Sequence, residues 1–119
     1  MARQVELVAS AHGITGTITR GPDPYPATIN DVDGASHAAA AAASVVGTPA
    51  VLGDVPPTMG GEDFSFMLQA VPGAYLWLGQ GGGPSACTGG LHNPHYDFND
   101  EVLPIGASIH VALVKKLLG

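Results

Sequence analysis

The chain is 119 residues long, enough for one domain or part of one and too short for two. With 45% apolar and 12% charged residues it has the composition of a folded chain, which argues against intrinsic disorder. Its formal charge of −6, from four basic and ten acidic side chains, leaves no basic stripe to track a phosphate backbone and argues against nucleic-acid binding.

No apolar run approaches the roughly 20 residues of a membrane span. The N-terminal MARQVELVAS has no apolar signal core, so a cytoplasmic protein away from membranes is expected. The single cysteine, Cys87, excludes an internal disulfide and a cysteine zinc cage. The 17 glycines and 10 prolines cluster between apolar segments, a pattern of tight loops.

In chain order, residues 2–12 place Val5, Leu7, Val8 and Ala11 on one helical face, with Gly13 as the stop. Residues 14–20 alternate Ile14, Gly16 and Ile18 with threonines, which predicts a half-buried strand. GPDPYP at 21–26 is a proline-rich crossing. Asn30-Asp31 then offers a cap for an alanine-rich helix ending before Gly47. A short strand is expected at Ala50–Leu52. A short helix carrying Phe64, Met67 and Leu68 is expected after Glu62-Asp63. AYLWLG at 74–79 predicts a strand covered on both faces. Residues 80–101 form a long irregular segment of the kind that carries function. A last helix over about 104–118 buries Ile105, Ile109, Ala112 and Leu113.

Two stretches carry chemistry. In LHNPHYDFND, 91–100, His92 precedes a tight Asn93-Pro94 turn with Asp97 near enough in sequence to orient its ring, which suits a metal ligand. A zinc site needs three or four ligands, and His37, His95 and His110 show no ligand spacing toward His92. A solvated loop histidine is the bland alternative. His110, mid-helix between Ile109 and Val111, is expected to be structural, and His12 to face a helix C-terminus. In GGEDF, 60–64, Gly60 and Gly61 permit positive φ and close approach of a ligand. Glu62 and Asp63 lead into a helix whose N–H groups suit a carboxylate, or they simply charge its first turn. The segment resembles a nucleotide-cyclase signature with its acids transposed, but the helical stretch that follows excludes that reading. Gly79-Gln80-Gly81 lacks the Lys of a phosphate-binding loop. A Cys87–His92 nucleophile pair is a weaker possibility.

Met59 to Ser65, Val71-Pro72-Gly73, Leu78-Gly79, Leu91 to Pro94, Tyr96 to Glu101 and Leu103 to Ala107 together resemble the C-terminal third of M20 metallopeptidases. The likeness is strongest to the amidohydrolase branch of hippurate hydrolases, N-acyl-amino-acid amidohydrolases and auxin-conjugate hydrolases. Tyr25-Pro26, Thr28 and Asn30 resemble the family's return from its lid to its catalytic domain. The resemblance implies an α/β fold: residues 25–119 as the C-terminal portion of a zinc-dependent exopeptidase-like catalytic domain, and residues 1–24 as the last helix and strand of a ferredoxin-like lid that often dimerises.

The resemblance further implies a centre of two divalent metal ions (zinc, with manganese, cobalt or nickel as alternatives) that activates water to cleave the amide of an N-acyl amino acid or small peptide. His92 matches the last metal ligand, and Gly60, Gly61, Glu62 and Asp63 match the turn beside the substrate. The family's Cys-x-His and Glu-Glu motifs, with the general base, do not occur in these residues. No catalytic base is therefore assigned here. The chain is expected to be a fragment that needs the remaining N-terminal part, to be inactive alone, and to associate, with a homo-oligomer expected. A non-enzymatic association module is the alternative function. In the reassembled enzyme, His92→Ala is expected to abolish metal-dependent activity, His95→Ala to be tolerated and His110→Ala to alter stability.

Overall fold

The computed structural model describes residues 1–19, 21, 24–81 and 90–119. Among these residues four α-helices form: α1 (Ala2–Ala11), α2 (Val32–Val46), α3 (Phe64–Ala70) and α4 (Leu103–Leu118), with short 3-10 turns at Thr48–Ala50 and Asp100–Val102. Each begins or ends where local chemistry directs. α1 stops in a Schellman motif: Gly13 takes φ 69°, its N–H donates to Ser10 O at 3.0 Å, and Ile14 N–H donates to Ala9 O at 3.0 Å. The Asp31 carboxylate caps α2 by accepting from Gly34 N–H at 2.8 Å. α2 ends at Gly47, φ 83°. Pro104 opens α4, where its missing N–H costs nothing, and Lys115 and Lys116 sit in the last turn against the carbonyl end of the helix dipole.

The centre of the molecule is the packing of α2 on α4. The small residues of α2 make this close approach. Ala38, Ala41 and Ala42 are buried. One turn earlier, Gly34 lies against the chain at Gly73, where an added Cβ would stand 3.0 Å from a backbone carbon. From α4, Ile105, Ile109, Ala112 and Leu113 are half-buried, the face their helical spacing predicts, and Gly106 admits the Leu78 side chain at 3.3 Å from where its Cβ would be. The extended segment 73–80 thus runs against α2 at one end and α4 at the other.

Several expectations are corrected. Among the described residues no strand is paired. The segments read as strands at 14–20, Ala50–Leu52 and 74–79 are extended or turned, because a ladder needs a neighbouring backbone and these residues supply none. Arg20 lies outside the described residues. Residues 14–19 instead fold back on α1, with Gly16 seated over Val5 and Ala9. Thr48–Ala50 turns in a 3-10 bend. On α1 the buried residue is Ala9, while Leu7 and Val8 are exposed. On α3 Phe64 and Leu68 are half-buried as expected, Met67 is exposed, and Ser65 is fully buried with its Oγ donating to Glu62 O at 2.6 Å. His110 is exposed, which removes the basis for a structural role. Among the described residues no helix is long and apolar enough to cross a membrane.

Candidate functional site

The site residues hang on the extended segment 73–80. Its start is fixed by residues 30 and 31. Asp31 N–H donates to Gly73 O at 2.9 Å. The Asn30 side-chain amide then bonds both polar groups of Tyr75, donating to the carbonyl at 3.0 Å and accepting from the N–H at 2.8 Å. One side chain thereby does what a neighbouring strand would do at that residue.

Tyr75 carries the next contact. Its O–H donates to Glu62 Oε2 at 2.9 Å, and the backbone N–H of Phe64 reaches Glu62 Oε1 at 3.4 Å. The Tyr75 bond, with the backbone N–H second, holds the Glu62 carboxyl below its ordinary 4.5. The same bond raises Tyr75 above 10.0. The Tyr75 ring lies between Phe64, 5.5 Å away, and Trp77, 5.6 Å away and edge-on. Glu62 therefore does more than charge a helix end: it ties the 60–64 loop to segment 73–80. Asp63 occupies the N-cap position of α3 without a side-chain capping bond. Gly60 and Gly61 do not take the positive φ their lack of a side chain permits. Gly61 is required for space, since a Cβ there would stand 3.0 Å from the Tyr25 ring, which packs edge-on to Phe66.

His92 sits on a second, separate feature. Asn93 N–H donates to Gly90 O at 3.0 Å, making Leu91 and His92 the central pair of a tight turn. His92 takes φ 71°, and among the described residues no other non-glycine has positive φ. That is the second central position of a type II turn, where glycine is the usual occupant. Asn93 begins the following turn, its Oδ1 accepting from His95 N–H at 2.9 Å and its carbonyl from Tyr96 N–H at 2.9 Å, with Pro94 suited to the first central place. The imidazole of His92 is exposed on a backbone fixed from both sides.

Among the described residues no three His, Cys, Asp or Glu side chains gather at metal-binding range. His37, His95 and His110 thus do not join His92 in a complete donor set. One imidazole on a rigid turn fits a metal as a single ligand. Cys87 lies outside the described residues, and so does any pairing of it with His92. Two open hollows flank these features. One, of about 450 Å³, is lined by Trp77, Leu78, Leu91, Tyr96 and Phe98 with glycines. The other, of about 370 Å³, lies between Ile29–Asp31 and Leu68–Pro72. Neither is lined by Gly60–Asp63. Sequence reasoning missed Tyr75 and Asn30. Alternation of Tyr75 and Trp77 marks one face of the segment, and a half-buried phenol seeks a partner, but nothing local links either to Glu62 or Asn30.

Residues 8–116 match the family model described as peptidase family M20/M25/M40. The chain is 37% identical over 65 residues to IAA-amino acid hydrolase ILR1-like 4 of Arabidopsis thaliana, covering 55% of this chain and 15% of that protein. It is 28% identical over 116 residues to thermostable carboxypeptidase 1 of Saccharolobus solfataricus, covering 98% of this chain and 28% of that one. It is 45% identical over 51 residues to N-acetyldiaminopimelate deacetylase of Streptococcus suis, covering 43% of this chain and 12% of that one. The chain thus spans well under a third of the length of these relatives. No solved structure matches. Enzymes of the matching family are hydrolases and are generally metal-dependent. With the model covering nearly its whole length, the chain belongs to peptidase family M20/M25/M40.

Proposed function

We propose that this chain supplies one metal ligand, His92, and a substrate-side loop, Gly60-Gly61-Glu62-Asp63, to a metal-dependent amidohydrolase acting on N-acyl amino acids or small peptides. The observation that carries the reading is the backbone of His92. A non-glycine residue at φ 71° costs roughly 1–2 kcal/mol relative to glycine, and such strain collects at functional sites. Here it points an imidazole, a common metal ligand, from a turn pinned at Gly90 and Asn93. The family match supports the same assignment.

A bound divalent ion would supply Lewis-acid polarisation of the amide carbonyl and lower the pKa of the attacking water. The residues of this chain hold and orient. His92 presents its ring. Glu62 fixes the 60–64 loop through Tyr75, and Gly60 leaves open space beside its backbone for a substrate to approach. The remaining ligands and the general base come from residues beyond these 119. In this reading residues 25–119 are the C-terminal portion of an α/β catalytic domain, and residues 1–24 are the end of a lid. The relatives' names, an amino-acid conjugate hydrolase, a carboxypeptidase and a deacetylase, share an amide or peptide bond next to an amino-acid portion, which supports this substrate class. The test strips the full-length protein of metal and reloads it with zinc, manganese, cobalt or nickel in turn, assaying hydrolysis of N-acyl amino acids. Loss on stripping and recovery with at least one ion is expected. Hydrolysis that survives complete metal removal would overturn the reading.

A further inference from the structure

The chain between Leu78 and Pro84 reads Gly79-Gln80-Gly81-Gly82-Gly83, so Gln80 is the one residue there with a side chain able to anchor the backbone. Its amide makes two bonds, both to the loop that carries His92. Nε2 donates to the Tyr96 hydroxyl, and Oε1 accepts from Asn99 N–H at 3.1 Å. The amide orientation follows from its partners: the Asn99 N–H can only donate, so it faces oxygen, and the nitrogen faces the Tyr96 oxygen. Both partners are held in turn. Asn99 is buried, and its Oδ1 accepts from Glu101 N–H at 3.1 Å, capping the 3-10 turn that leads into α4. Tyr96 N–H closes the turn from Asn93, the residue after His92.

We infer that Gln80 is a positioning residue for His92: its amide ties the end of segment 73–80 to both Tyr96 and Asn99 and so fixes where the His92 turn stands. This rests on His92 being a metal ligand. A glycine-flanked segment has wide backbone freedom, and a ligand displaced by about 1 Å loses much of its effect. Supporting residues around a ligating histidine typically change metal affinity about 10- to 100-fold when removed.

The test measures zinc dissociation constants by chelator competition on the full-length protein and on Gln80→Ala, Gln80→Glu, Tyr96→Phe and His92→Gly, with thermal midpoints recorded alongside. Glutamate can accept from both Asn99 N–H and Tyr96 O–H, so Gln80→Glu rescues a positioning role. Gln80→Ala is expected to weaken zinc binding about 10-fold, Tyr96→Phe by less, and Gln80→Glu to stay within about threefold of the parent. Should Gln80→Ala fail to fold, the contrast between Tyr96→Phe and Gln80→Glu decides the same point. Parent-like zinc affinity in both Gln80→Ala and Tyr96→Phe, with affinity lost in His92→Gly, would overturn the role of Gln80 alone. Parent-like affinity in His92→Gly would overturn the ligand assignment and this inference with it.

Discussion

Single residues decide how much of this chain is fixed without paired strands. Glu62 is the clearest case, because its two carboxylate oxygens take a phenol O–H and a backbone N–H. A carboxyl whose pKa is lowered on folding stabilises the folded state above its unfolded value, 4.5 here, and that contribution is lost as pH falls through the lowered folded value. Tyr75 works in the opposite sense: raised above 10.0, it favours the folded state below that pH and loses the contribution as pH rises through its folded value. In Tyr75→Phe the Glu62 carboxyl should titrate closer to 4.5, read from the carboxyl carbon by NMR of the full-length protein. An unmoved midpoint would mean that the phenol does not hold Glu62. The Gly-Gly-Glu-Asp stretch was legible in the sequence as a feature. Its partner was not, because Tyr75 lies 13 residues away and Asn30, which fixes Tyr75, lies 45 residues from it. Local pattern carries no information on such pairs.

At the scale of elements, helices were legible and strands were not. Caps and glycine stops at Gly13, Asp31 and Gly47 act within a few residues. A strand depends on a distant partner, so AYLWLG reads as one while its long-range bonds among the described residues gather on Tyr75, to the Asn30 amide and the Glu62 carboxylate. The contact between α2 and segment 73–80 gives a paired prediction. Gly34→Ala would drive a methyl to 3.0 Å from the Gly73 backbone, which cannot yield as a side chain can. The overpacking should cost about 1–3 kcal/mol. Gly106→Ala meets only the tip of Leu78, at 3.3 Å, and alanine is better than glycine in a helix by about 0.8–1.0 kcal/mol. Gly106→Ala should therefore be neutral or stabilising. Denaturant midpoints of the two variants check this, and a Gly34→Ala variant as stable as the parent would contradict the close packing.

For the whole molecule, the chain exposes 9510 Å², where about 6,000 Å² is usual for a self-contained chain of this mass. Its radius of gyration is 19.9 Å, against about 13.5 Å for a compact domain of this length. The buried apolar residues are alanines and Val102, so little core forms among the described residues. Leu7, Val8, Leu76, Trp77 and Leu78 stand exposed. The chain spans 15% and 28% of the length of two of its relatives. The family was legible from ordered motifs across the chain, whereas the α/β layering was not, because no strand pairs among the described residues. One imidazole does not define a metal centre, which needs three or four ligands, and among the described residues no such set gathers around His92. Whether His92 holds a metal is tested by the metal content of the full-length protein in His92→Gly beside His95→Ala. Glycine suits the φ of 71° at position 92, so the turn survives while the imidazole is lost. His92→Gly is expected to fold as the parent does but to lose bound metal and turnover together, with His95→Ala unchanged in both. Full metal occupancy and turnover in His92→Gly, or their loss in His95→Ala alone, would contradict the ligand assignment.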